Sequence, residues 1–141
     1  MINLKGIGSP RARDYHQRVL TRTLVNMYKE TVQQGLDILC EALVTKNPYD
    51  NYPDIIIKDE TGCPVFIMEI TRSWGLSYDR RKCISLKQRF PGCKFYIFNY
   101  ETDVLYCLTD DYTWLSSREY EFMSPLFERP VIDYIYMIDV Q

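Results

Sequence analysis

Two short, almost wholly apolar runs, Pro53–Lys58 and Pro64–Thr71, stand either side of Asp59-Glu60-Thr61-Gly62, and each run carries one carboxylate, Asp54 in the first and Glu69 in the second. Apolar runs of this length bounded by turn residues read as central β-strands, and the linker reads as a hairpin turn. With Thr61-Gly62 as the two turn residues, Glu60 pairs with Cys63, and the same register carries Asp54 opposite Glu69. Asp54, Ile56 and Lys58 then share a face with Val65, Ile67, Glu69 and Thr71. Directly opposed side chains on one face have Cβ atoms about 5 Å apart, and like charges there destabilise the sheet. Either one carboxyl is protonated or a cation lies between the two; the alternative is a different register with one carboxylate at a solvated strand end, since a four-residue loop would shift the pairing by two. A hard divalent ion that keeps several waters suits such a pair; Mg²⁺ is the expected ion and Mn²⁺ a substitute.

The rest of the chain arranges itself around this hairpin. Ser9-Pro10 reads as a cap followed by a first-turn proline, Gly35 as a stop, and Leu20, Leu24, Met27, Tyr28 and Thr31 recur between them at helical spacing. The first helix is therefore expected over 10–34. Strict alternation from Leu36 to Val44 predicts a strand, and Asn47 to Asn51 a turn. A second helix is expected from a cap at Ser77 to about Phe90, closed by Pro91-Gly92, then strands over 94–100 and 104–108. Strand, helix and strand in succession make a crossover, so 94–100 should lie parallel to 64–71 with a right-handed connection. The β-branched and Tyr-rich stretch 131–140 is expected as an edge strand. One α/β domain over 1–141, in the order α-β-β-β-α-β with extra C-terminal strands and a mixed sheet, is the expected fold; 141 residues are too few for two good cores.

A net charge of −2 argues against a protein that coats nucleic acid by bulk charge, but the charge is segregated. Residues 1–29 hold six Lys/Arg and one acid, and 72–94 seven Lys/Arg and one acid; 30–71 holds eight acids against two bases, and 99–141 nine against two. An acidic block between two basic ones suits a metal site flanked by phosphate-binding surface, and equally an ordinary solvated surface. The five cysteines lack C-x-x-C spacing and have His16 as the one imidazole, so reduced core thiols are expected rather than disulfides or zinc. No run approaches the roughly 20 apolar residues of a membrane span, and the first thirteen residues lack a secretory hydrophobic core, so a cytoplasmic protein is expected.

Further candidates surround the carboxylate pair. The apolar stripe of the second helix is Cys83, Leu86 and Phe90, and one turn earlier it reaches Asp79, with Lys82 beside it. This arrangement suits an i,i+3 surface pair, or a Lys82 that reaches over the sheet end to Asp54 and Glu69 while Asp79 orients it. Glu30, one turn after Met27, could lean towards the same ion or be solvated; Glu41 is its rival, and His16, one turn before Leu20, is a half-buried histidine or a ligand.

Pro53-Asp54, Phe66-Ile67-Met68-Glu69-Ile70, Ser73, Asp79, Lys82 and Lys94-Phe95-Tyr96-Ile97-Phe98 together resemble the restriction-endonuclease-like PD-(D/E)xK superfamily. They are most similar to its branch of endonuclease domains in which the lysine has moved to the second core helix, a branch that His16-Gln17 also fits. The resemblance covers roughly 14–108 and implies Mg²⁺-dependent hydrolysis of nucleic-acid phosphodiester bonds, DNA before RNA. It implies Asp54 and Glu69 as metal ligands, with the Ile70 carbonyl as a third. The superfamily lysine two residues after the acid is here Thr71, which cannot supply positive charge. Lys82 is then the stand-in, with Arg72 and Arg81 as weaker alternatives, Arg72 being expected on the opposite face from Thr71. A catalytically inactive nucleic-acid- or protein-binding module, and a structural protein that dimerises through its Tyr-rich C-terminal part, are the competing expectations.

Overall fold

The computed structural model describes residues 10–42, 44 and 52–137. Helix α1, Pro10–Gln33, runs into strand β1, Asp37–Cys40. Strands β2, Ile55–Lys58, and β3, Pro64–Thr71, follow, then a 3₁₀ turn at Ser73–Gly75 and helix α2, Leu76–Arg89. Strands β4, Lys94–Asn99, β5, Val104–Leu108, and β6, Trp114–Ser116, lead to helix α3, Val131–Tyr136. The chain is a mixed α/β fold on one six-stranded sheet in the order β1-β2-β3-β4-β5-β6. The β3–β4 pair is parallel and all other neighbours are antiparallel, as the strand-helix-strand succession requires.

Helix α1 ends where Gly35 takes φ 73°: Leu36 N–H donates to Thr31 C=O at 3.1 Å and Gly35 N–H to Val32 C=O at 3.0 Å, the paired bonds of a Schellman cap. The Ser9 cap and the turn at Asn47–Asn51 lie outside the described residues, as does part of the expected 36–44 strand. Because β2, β3 and β4 are covered on both faces, their side chains alternate between two cores rather than between core and water. Ile55, Ile57, Phe66, Met68 and Ile70 pack with Leu20, Met27 and Tyr134 under α1 and α3. Ile56, Ile67, Phe95 and Ile97 pack with Cys83 and Leu86 under α2.

Three expectations are corrected. Residues 131–136 form a helix and not an edge strand: Val131, Tyr134 and Ile135 are all buried at i, i+3 and i+4, a helical apolar stripe that prevails over their β propensity. Asn26 holds that helix in place, its side-chain amide donating to Tyr134 C=O at 2.7 Å and Met137 C=O at 2.9 Å. The sheet edges are instead β1 and β6, and the cap of α2 is Gly75, two residues before Ser77. The cysteines are free thiols, but only Cys83 and Cys93 are buried; Cys40 and Cys107 are half-buried and Cys63 is exposed.

The β2–β3 hairpin has a different turn from the expected one, and the same register beyond it. Asp59 N–H donates to Cys63 C=O at 2.9 Å, and the Asp59 carboxylate accepts from the Thr61 and Cys63 amides at 2.9 and 3.0 Å, so the loop has one more residue than a Thr61-Gly62 turn. Gly62, at φ 84°, supplies the left-handed position such a loop needs. A bulge follows at once: Lys58 pairs with Pro64 and Ile57 with Phe66, leaving Val65 as the extra residue. The two displacements cancel, and Ile55 faces Met68.

Candidate functional site

Asp54 sits in a bend one residue before β2, where the cancelled register brings it alongside the end of β3. Its amide donates to Glu69 Oε1 at 2.8 Å, and its Oδ2 accepts from the Ile70 amide at 2.7 Å. Each carboxylate thus accepts from a backbone amide of the other's segment, which fixes both side chains next to one another. Asp54 and Glu69 line one pocket with His16, Ile70, Thr71, Asp79 and Lys82.

The pocket lies at the carboxyl ends of the parallel pair β3 and β4, and for that reason both helical layers reach it. From α1, His16 brings Nε2 to 3.4 Å from Asp54 Oδ2. From α2, Lys82 forms an ion pair with Glu69 Oε2 and donates to the Tyr52 carbonyl at 3.3 Å. Asp79 lies one turn before Cys83, next to Lys82 and the Thr71 hydroxyl. The sheet end also brings in Arg72, which lines the pocket although it follows Thr71 by one residue; alternation stops mattering where β3 stops.

Burial governs the electrostatics. It pushes the Glu69 carboxyl up to about 8 against the pull of Lys82, and Asp54 and Asp79 add to the rise. Burial likewise lifts Asp79 above the ordinary carboxylate range despite Lys82. For Lys82 burial works downward but the Glu69 carboxylate outweighs it, so the ammonium is held more firmly protonated than in water. His16 behaves in the same way: burial opposes its charge, the hydrogen bond and field of Asp54 prevail, and its pKa is raised.

Two candidates lie apart from the pocket. Glu30 faces the other end of α1, where it accepts a hydrogen bond from the Tyr134 hydroxyl and pairs with Arg129 at 3.6 Å, so it does not lean towards the carboxylate pair. Its place at the border of the apolar face is explained by α3, which covers that face. Glu41, at φ 49°, donates its amide to the Asp54 carbonyl at 3.1 Å, and its charge is felt by His16, but it does not line the pocket. Sequence reasoning missed Trp74, Tyr78 and Tyr100, all of which line the pocket. Their signal was a Trp and a Tyr four residues apart in the basic block directly after the second acidic strand.

No protein-family model matches this sequence, and no curated protein matches it significantly.

Proposed function

We propose that this protein belongs to the restriction-endonuclease-like PD-(D/E)xK superfamily and is a metal-dependent endonuclease that hydrolyses nucleic-acid phosphodiester bonds, with DNA the favoured substrate. The observation that carries the proposal is the meeting of Lys82 with the Asp54/Glu69 pair at the end of the sheet. A fixed ammonium beside the carboxylates supports the reading, since Thr71 leaves the superfamily's usual lysine position without charge.

The donor set fits a hard divalent cation: the carboxylates of Asp54 and Glu69 with the carbonyl of Ile70 would hold Mg²⁺ or Mn²⁺. Among the described residues no group of three or more His, Cys, Asp or Glu side chains is gathered for a metal, and Mg²⁺ is commonly held by one or two carboxylates with water completing the shell. When bound, such an ion supplies an acidified water and neutralises charge on the phosphate. The chain's own part is to orient and to stabilise. Lys82, held protonated by Glu69, acts as a donor and a fixed positive charge towards water and phosphate rather than as a general base. Asp79 positions that ammonium from one turn away on the same helix.

The test is hydrolysis of single- and double-stranded DNA and of RNA with Mg²⁺ and with Mn²⁺, by the parent chain and by Asp54→Asn, Glu69→Gln and Lys82→Ala. Hydrolysis by the parent, lost in all three variants while Lys82→Ala still gains thermal stability from the ion, is the expected result. A parent inert on every substrate would leave the pocket to the competing reading, a binding module, which Thr71 favours.

A further inference from the structure

The rim of the pocket is chemically unlike its floor. The floor is carboxylates and Lys82, whereas the rim carries Trp74, 65% exposed, and Tyr78, 55% exposed. Single apolar side chains on a surface need no explanation. Here two large aromatic rings border one polar pocket, and a third, Tyr100, lines it with the exposed Tyr15 stacked 5.2 Å away between ring centroids. The Arg72 guanidinium carbon lies 5.4 Å from the centroid of the Trp74 indole, which keeps a cation beside the ring. Arg72 Nε is buried and lacks a hydrogen-bond partner, although the Arg72 side chain also lies beside the Tyr100 hydroxyl. A buried donor without an acceptor costs free energy, and an anionic oxygen entering the pocket would satisfy it.

We infer that this rim is a subsite for single-stranded nucleic acid, in which Trp74 stacks on an unpaired base and Arg72 contacts the adjoining phosphate. The inference rests on the nucleic-acid reading proposed above and names the strandedness of its substrate. Exposed aromatic rings beside an arginine suit a single strand because every base has a π face, so stacking is tolerant of sequence. In a duplex those faces are covered by neighbouring base pairs, and an exposed indole can reach one only after the base is extruded. A peptide carboxylate or a lipid phosphate could also accept from Arg72 Nε, but neither presents a flat π face for the Trp74 indole beside it.

Binding of a fluorescein-labelled oligothymidylate, and of a duplex of the same length, is measured by anisotropy in EDTA, so that neither metal nor cleavage enters. The single strand should bind more tightly than the duplex. Trp74→Ala should weaken single-strand binding by about tenfold, within the range for loss of one stacked base, with Trp74→Phe retaining most of the affinity. Arg72→Gln should lower the slope of log affinity against log salt by about 0.7, one phosphate contact on a single strand. Duplex bound as tightly as single strand, no binding of either, or Trp74→Ala equal to the parent would overturn the inference. Failure of the hydrolytic reading looks different: the oligonucleotide binds as described, but is not cut when Mg²⁺ or Mn²⁺ is restored.

Discussion

Lys82 of α2 and Glu69 of β3 meet across the packing interface between helix and sheet, ammonium against carboxylate, with side chains 9% and 2% exposed. Above the pH at which Glu69 ionises, two charges so far removed from water hold together only while both partners are present. Removing one leaves the other to lose its charge or to destabilise the fold.

The first prediction follows from the raised Glu69 carboxyl. Its ordinary value is 4.5 and its folded value about 8, so across that interval the folded chain binds more protons than the unfolded one. Stability should therefore be greatest below the unfolded value and fall as pH rises through the folded value. Urea unfolding of the metal-free chain from pH 5 to 9 should show this decline, and Glu69→Gln should flatten it. Lys82→Ala should extend the decline to higher pH and cost about 1–3 kcal/mol at the alkaline end, because the carboxyl without its ammonium holds its proton longer. A decline of the same slope in Glu69→Gln would place its origin elsewhere.

Divalent ions should act against that decline. An ion held by Asp54 and Glu69 displaces the proton that burial favours, so its affinity should rise with pH. At a hundred times Kd the gain is about 2.7 kcal/mol, several degrees in Tm for a chain of this size. Mg²⁺ or Mn²⁺ should raise Tm more at pH 9 than at pH 6. Asp54→Asn should fold, since its side-chain oxygen can still accept from the Ile70 amide, and should lose the ion's effect. A variant whose Tm still climbs with Mg²⁺ as in the parent would put the ion at another site.

His16 is the one histidine of the chain, so its titration can be followed by NMR without assignment. Asp54 holds its pKa above the ordinary 6.5 against burial. The pair therefore adds stability below about that value and loses it as pH rises through the folded pKa. In Asp54→Asn burial is left largely unopposed, and the midpoint should drop below that of the parent. A midpoint unmoved by the substitution would show that Asp54 is not the partner that matters.

How the site could be read from sequence is clearest in the β2–β3 hairpin. The apolar runs and their two acids lead to the expectation that Asp54 and Glu69 come together, and Ile55 does face Met68. The turn itself differs from a Thr61-Gly62 turn: Asp59 takes the Thr61 and Cys63 amides, which lengthens the loop, and Val65 bulges to compensate. That compensation is legible only in three dimensions, because it depends on both cores admitting one register of the buried Ile and Phe side chains. Lys82 was legible from its distance to Cys83 and Leu86, since helical period alone sets which residues face the sheet. Glu30 was not, because the residue that claims it, Tyr134, lies on a helix that composition disguised as a strand. Trp74 belongs to a short 3₁₀ turn, where neither period of two nor of 3.6 assigns a face.

The last prediction concerns Thr71, which stands where the superfamily pattern would have its lysine. The side chain lines the pocket, two residues after Glu69 and therefore on its face of β3. It is tightly packed at its base: a Cβ at Gly75 would come within 2.7 Å of Thr71 Oγ1, so the glycine is what gives this side chain room. Gly75→Ala should therefore push Thr71 or the start of α2 aside and cost roughly 1–3 kcal/mol. A lysine at 71 keeps the glycine's space for its first carbons and extends along the pocket towards Glu69. In the Lys82→Ala background, where the Glu69 carboxylate has lost its ammonium, Thr71→Lys should restore about 1 kcal/mol of stability. Under the proposed function it should also recover part of the hydrolytic activity, because either position delivers a positive charge to the same carboxylates. Thr71→Lys added to the parent should be unfavourable, with two ammonium groups competing for one carboxylate. If the double variant Thr71→Lys/Lys82→Ala is no more stable and no more active than Lys82→Ala, position 71 does not address the pocket that Lys82 serves.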